Sequence, residues 1–325
     1  VALPEVLKGR LAAPIVGAPM FIVSGPELVI AQCKAGIVGS FPALNARPPE
    51  LLDEWLTRIK AELADYAAAN PGAKVAPFAV NQIVHGSNDR LQHDVDLCVK
   101  HEVPIVITSL RPPDEVVEAV HGYGGVVFHD VINLKHARRA AKAGVDGLVL
   151  VCAGAGGHAG RLSPFALVPE VKEWFDGTIL LSGAIATGRS VYAATATGAD
   201  LAYVGTRFIA TEEANAPDKY KDFIVESAAD EIVYTSLFTG VHGNYLGRSI
   251  EAAGMDPATL PESDPSKMNF GSDREKPKAW KEIWGAGQGV GQIADAPPAR
   301  EVVERLVAEY RAAAEETARG VGAYL

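Results

Sequence analysis

Eight short apolar runs rich in Val, Ile and Leu, each followed by a segment of helical periodicity and then a glycine, limit what this chain can fold into. The runs occupy residues 14–17 (PIVG), 36–39 (GIVG), 75–80 (VAPFAV), 104–108 (PIVIT), 125–129 (GVVFH), 147–151 (GLVLV), 178–182 (TILLS) and 201–205 (LAYVG). They are continuous rather than alternating, the pattern of parallel strands covered on both faces by returning helices. Helical segments lie between them at residues 26–34, 49–70, 89–101, 114–121, 134–143, 164–175 and 188–197. In residues 134–143, for example, Ala137, Ala140 and Ala141 form a small-residue face, while Lys135, His136, Arg138 and Arg139 can stay in water. Glycines follow helix ends at Gly36, Gly144 and Gly198. Eight βα units within about 210 residues predict an α/β fold, a (β/α)8 TIM barrel whose chemistry sits on the loops after the strands. A doubly wound sheet is the rival, but it would use fewer strands and carry its glycine fingerprint after the first.

The rhythm stops after Thr211. Residues 1–211 are therefore expected to form the barrel core with its binding site. Residues 212–325 are expected to form a mostly helical extension with a polar surface loop over residues 256–277. A terminal helix is expected over residues 298–319, where Val302, Val303, Leu306, Val307 and Tyr310 make one apolar stripe. Thirty Lys+Arg against forty Asp+Glu give a net charge of −10, which argues against nucleic acid and anionic membranes as partners. A local basic pocket for a phosphate remains compatible with that charge. The three cysteines, Cys33, Cys98 and Cys152, have no C-x-x-C spacing, so no disulfide framework and no metal site is expected, and a reducing cytoplasm fits. Lys8 and Arg10 precede an apolar run at residues 11–23 that imitates a secretory signal, but Pro14, Gly17 and Pro19 interrupt it and Glu5 lies upstream. No apolar run approaches the roughly 20 residues needed to span a bilayer. The expected partners are small molecules; a homodimer is left open.

The chemistry-bearing residues follow the later strands. VCAGAGGHAG (residues 151–160) comes directly after the sixth run, so its glycines allow close backbone approach to a flat or anionic ligand and His158 sits at the barrel mouth. A glycine turn bearing a surface histidine is the plainer alternative. SGAIATG (residues 182–188) follows the seventh run and GTR (residues 205–207) the eighth. Those two loops of this fold commonly build a phosphate site from backbone N–H groups.

PIVGAPM (residues 14–20), Asn81, AGGHAG (residues 155–160), SGAI (residues 182–185), GADLAYVGTRF (residues 198–208) and WGAGQGVG (residues 284–291) together resemble the nitronate monooxygenase family, formerly called 2-nitropropane dioxygenases. The resemblance runs nearly the length of the chain and is weakest from Thr211 to Lys281. It implies an FMN-dependent barrel with the phosphate against Ser182, Gly183, Ala184, Gly205 and Thr206. It further implies that Ala18, Pro19, Met20 and Asn81 line the ring and ribityl parts, that Ala155, Gly156 and Gly157 pass beside the flavin, and that Gln288 neighbours the cofactor. His158 is implied as general base, a role suited to imidazole because its ordinary pKa of about 6.5 lies near operating pH. The chain departs from the family pattern in four places. Gly154 stands where a glutamate is frequent, Asp130 where a lysine often follows His129, Ala184 where a second glycine is usual, and SLRPP (residues 109–113) replaces S-x-G-x-P. Asp130 would make the flavin's surroundings more negative, with Arg111 a candidate to compensate.

The activity implied is oxidation of alkyl nitronates, and conditionally of neutral nitroalkanes, by O2 to a carbonyl compound and nitrite. An NAD(P)H-dependent FMN reductase of the enoyl-thioester or quinone type is the rival within the fold, and a flavin-free phosphate-ligand barrel is the rival outside it. Cys152 precedes the glycine loop but has no base in a defined relation to it, and packing is the expected role. His242 and Tyr245 are candidate pocket residues or parts of a surface loop. Trp284 is a candidate pocket or core residue, and residues 285–291 lack the strand–turn–helix context of a dinucleotide site.

Overall fold

The computed structural model describes residues 2–261 and 283–322. Its strands are β1 (Ile15–Gly17), β2 (Gly39–Pro42), β3 (Phe78–Val84), β4 (Ile105–Leu110), β5 (Val126–Val131), β6 (Gly147–Val151), β7 (Gly157–His158), β8 (Thr178–Ser182), β9 (Leu201–Val204), β10 (Ile232–Thr235) and β11 (Gly243–Leu246). Eight of them form one parallel sheet in the order β1-β9-β8-β6-β5-β4-β3-β2. A parallel bridge between Val16 and Val38 joins its two edges, so the sheet curls into a barrel. Glycine permits this seam: a Cβ on Gly39 would lie 2.6 Å from the Val29 carbonyl oxygen of the helix Pro26–Lys34 packed over it.

The eight runs and the seven helices between them are where the periodicity predicts, with two shifts. Gly36, at φ +89°, turns the chain out of the preceding helix, so the second strand starts at Gly39 rather than at residue 36. The third strand continues through Asn81 and Gln82 to Val84 because both polar side chains are buried and pair inside the protein.

The interior of the barrel is filled by Val16, Val38, Ile105, Phe128, Leu180 and Tyr203 among others, and alternate residues such as Val106, Val127 and Leu148 join the larger core beneath the helices. That larger core also contains Val290, Ile293, Val302 and Leu306, so the segment after Thr211 packs on the barrel rather than standing apart. The terminal helix, Ala299–Val321, lies against Gly188–Ala196, and Glu309 accepts a hydrogen bond from Gly188 N at 2.6 Å. The extension also carries a feature beyond its helices. Strands β10 and β11 form an antiparallel sheet that takes in β7, with Gly243 opposite His158 and Asn244 opposite Gly157. Most of the polar loop expected at residues 256–277 lies outside the described residues.

Candidate active site

Three loops at the C-terminal ends of β6, β8 and β9 meet under the segment 284–291. Gly154 O accepts from Ala184 N at 3.2 Å and from Gln288 N at 2.9 Å, and Gly287 N donates to Thr206 Oγ1 at 2.9 Å. The predicted residues Ala155, Gly156, Ala184, Thr206 and Gln288 are thus brought into one constellation. A Cβ on Gly156 would fall 2.7 Å from Gly287 N, so this contact between backbones requires glycine. Gly154, at φ +84°, leaves space that Gln288 and Ala184 occupy, and a glutamate there would meet both. Ala184 itself has φ +53°, which explains why a second glycine is usual at this position; alanine carries roughly 1–2 kcal/mol of local strain.

On the other side of the mouth, Ala18 N donates to Val204 O at 2.9 Å, and Ala18 and Met20 lie beside Gly205. Asn81 and Asp130 reach the barrel floor because they alternate with the inward-facing Ala79 and Phe128. Asn81 Nδ2 donates to Ser109 Oγ at 2.9 Å, and Ser109 Oγ donates to Asp130 Oδ2 at 2.6 Å. The other carboxylate oxygen, Asp130 Oδ1, is buried without a hydrogen-bond partner among the described residues, as is Tyr203 Oη in the same interior. Such orphans in a folded protein mark polar atoms that await a ligand or water. Among the described residues no ion pair reaches Asp130, and Arg111 is exposed with its guanidinium beside Gly86.

Burial pushes the Asp130 carboxyl up to about 6, against a smaller opposing effect of the Ser109 hydrogen bond. A carboxyl raised on folding binds its proton more tightly in the native state, so its contribution to stability is largest below pH 4 and is lost as pH rises through about 6. Asp130→Asn should therefore stabilise the protein above pH 6, by up to about 3 kcal/mol, and make little difference near pH 4. Urea denaturation of both proteins without added FMN, at the two pH values, checks this.

His158 lies on β7, whose backbone pairs with β11, and Asn244 Nδ2 from β11 holds the preceding loop by donating to Ala155 O at 2.6 Å. Its Nε2 is 3.0 Å from Thr239 Oγ1. Thr239 donates its own proton to Val241 O at 2.9 Å, so it accepts from His158 Nε2–H. With the Thr239 proton on Val241 O, the ring proton belongs on Nε2. Burial holds the imidazole down to about 4, so it is neutral in the physiological range.

The other candidates make packing contacts. Cys152 is fully buried and its thiol is pushed up to about 12, so it stays protonated. Trp284 stacks on Tyr220 with centroids 4.8 Å apart and meets Phe223 edge-on. Tyr245 is buried against Phe238, and His242 stacks on Tyr234 at 5.1 Å. Ser109, Tyr203, Thr239 and Asn244 were not among the predicted site residues. Inward alternation from Ile107 to Ser109 and from Leu201 to Tyr203 is a signal that could have found two of them.

The parallel eight-stranded barrel carries its polar constellation on the strand-end loops, and comparison with known proteins places it in a family. The model of the nitronate monooxygenase family matches residues 5–309, and the chain belongs to that family, whose members are flavin-dependent enzymes. A nitronate monooxygenase from Paraburkholderia phytofirmans is 27% identical, with 93% of each chain covered. A (3aS,4S,5R,7aS)-5-hydroxy-7a-methyl-1-oxo-octahydro-1H-indene-4-carboxyl-CoA dehydrogenase from Rhodococcus jostii is 29% identical over 68% of this chain, which spans only 59% of that relative's length. The structure of a nitroalkane oxidase from Streptomyces ansochromogenes shares the fold, with a TM-score of 0.77 at 24% identity over 96% of this chain and all of that one. Among the described residues no helix is long and apolar enough to cross a membrane, and no group of three or more His, Cys, Asp and Glu residues is placed to hold a metal ion.

Proposed function

We propose that this protein binds FMN and oxidises alkyl nitronates, and neutral nitroalkanes after deprotonation, with O2 to a carbonyl compound and nitrite. The observation that carries the reading is His158, a neutral imidazole fixed at the barrel mouth by Thr239 and by the β7–β11 pairing, above a floor with two unpartnered polar atoms. In this reading residues 1–211 carry the cofactor, β10 and β11 pair up beside β7 at the mouth, and the terminal helix packs on the barrel against Gly188–Ala196.

The residues present fit FMN. The loops after β8 and β9 form a corner for the phosphate; Ala184 N–H already serves Gly154 O, which leaves Ser182, Gly183, Gly205 and Thr206 to face it. Asp130 Oδ1 and Tyr203 Oη offer hydrogen bonds to a polar ring edge, and Ala18, Pro19, Met20, Asn81, Ala155, Gly156 and Gly157 supply the walls. Bound FMN supplies the electron acceptor that no side chain can provide. His158 Nδ1 takes the α-proton of a neutral nitroalkane, while Thr239 holds the ring and accepts from the opposite nitrogen. A nitronate arrives deprotonated, and His158 then only positions it.

FMN-loaded protein given propyl nitronate should form carbonyl compound and nitrite in equal amounts as O2 is consumed; nitrite formation no faster than without enzyme would refute the reading. The pH profile of kcat/KM for a neutral nitroalkane should stay level across the neutral range and fall only toward about pH 4, where His158 is protonated. A limb at the ordinary histidine value near 6.5 would contradict the buried base.

A second reading is favoured by the rim. Leu110 and Ile132 are exposed where β4 and β5 end, and Leu162 and Phe165 are exposed in the loop after β6 and the first turn of the helix Pro164–Lys172, Phe165 to 76%. That rim suits a larger apolar substrate such as an enoyl thioester, which would accept from FMN the two electrons that NAD(P)H supplies in place of nitronate.

A further inference from the structure

The hydrogen-bond chain in the barrel floor runs in one direction only. Asn81 Nδ2 donates to Ile107 O at 3.1 Å and to Ser109 Oγ at 2.9 Å. The reversed amide would set its oxygen against the Ile107 carbonyl, two acceptors face to face, so the strand fixes the orientation. Ser109 accepts from Asn81 and has one proton, which goes to Asp130 Oδ2 at 2.6 Å. So long as Ser109 donates its proton there, Oδ2 accepts and does not carry the acid proton. A proton taken up by Asp130 rests on Oδ1, the oxygen buried without a partner.

We propose that Asp130, protonated on Oδ1, donates a hydrogen bond from the barrel floor to an acceptor atom on the ring of the bound cofactor, so that FMN binding takes up a proton. This rests on the FMN reading above. The polar edge of an isoalloxazine presents two carbonyls and ring nitrogens against a single N–H, so a neutral acid fits where a carboxylate would be repelled. Excluding water and bringing in a phosphate dianion both favour the neutral form further. The groups around Asp130 do not oppose this. Strand β3 presents Asn81, β4 presents Ser109, β6 presents Val149 and Val151, and across the barrel β9 presents Tyr203, a phenol kept protonated by burial. His129, the next residue on β5, faces the helix layer, where it pairs with Thr108 Oγ1 at 2.8 Å and is held neutral down to about 4.

The test is calorimetric titration of FMN into the full chain at pH 7.5 in buffers of different ionisation heat, which counts protons exchanged. Wild type should take up about one proton more per FMN than Asp130→Asn, and the subtraction removes any proton exchanged by the FMN phosphate. This excess should shrink toward zero by pH 5, where the free protein already holds the proton. Asp130→Asn should bind FMN at least as tightly as wild type, because its amide can also donate. Ser109→Ala should keep the uptake but move its midpoint to higher pH, since a hydrogen bond to the carboxylate is lost. Equal proton counts in wild type and Asp130→Asn would overturn the proposal, and so would FMN affinity that falls tenfold or more in Asp130→Asn. If wild type binds no FMN, the cofactor reading itself fails; the infrared carboxylic-acid band at pH 5, present in wild type and absent from Asp130→Asn, still reports whether Asp130 carries the proton.

Discussion

Replacing His158 by asparagine should lower turnover of a neutral nitroalkane by roughly 10²–10⁴-fold, the range for loss of a general base. Asparagine can still donate toward Thr239 and has similar bulk, but it accepts no proton near neutral pH. The loss should fall on proton removal, so oxidation of pre-formed nitronate should decline much less and FMN content should stay near that of wild type. In the proposed mechanism Thr239 holds the ring through Nε2 and Nδ1 acts as base, so Thr239→Val should slow the same step while leaving nitronate oxidation close to normal. Equal losses on both substrates in His158→Asn would assign the imidazole to substrate binding instead of proton transfer. The measurement is steady-state kinetics with each substrate form, alongside the flavin spectrum of the variant.

Gly205→Leu should weaken FMN retention by roughly 10²-fold or more, the cost of losing one or two charge-assisted hydrogen bonds to the phosphate at about 1.5–3 kcal/mol each. The position discriminates well between ligand and fold. Its φ of −106° is open to any residue, and a Cβ there would make only ordinary contacts, 3.5 Å to Ala18 and 3.8 Å to Met20 Sδ. The fold therefore accepts a Cβ at this position, and the melting curve reports whether it also accommodates the rest of the leucine. Fluorescence titration with FMN gives the affinity, and thermal melting without added FMN shows whether the fold is intact. Unchanged affinity in a folded variant would move the phosphate away from the loops after β8 and β9.

The barrel was legible because its strands announce themselves locally. A buried parallel strand needs a continuous apolar run, and the return helix needs a glycine to end it, so the runs at residues 104–108 and 147–151 could be read one at a time. The loops that bear Gly154, Ala184 and Gly205 were legible for the same reason, since each follows a strand that can be seen. What escaped notice depends on pairing between distant segments. Strand β7 is two residues in a glycine-rich stretch, and nothing local marks Gly157 and His158 as partners of Asn244 and Gly243, 85 or more residues away. The anchor on His158 is hidden likewise, because Thr239 approaches only when β10 and β11 fold back over the mouth. In the floor, Ser109 and Asp130 share a hydrogen bond because β4 and β5 are neighbours in register, whereas the sequence displays a serine and a carboxylate 21 positions apart. The departure at Ala184 acquired its meaning from the backbone: a left-handed φ is invisible until the turn is built.

In the proposed reaction a flavin held in this barrel takes its electrons from a nitronate. This is tested most directly by following the visible spectrum of the FMN-loaded protein under anaerobic conditions while propyl nitronate and then NADPH are added to separate samples. Nitronate should bleach the oxidised flavin band within the time of turnover and NADPH should leave it nearly unchanged; rapid bleaching by NADPH with no response to nitronate would contradict the account.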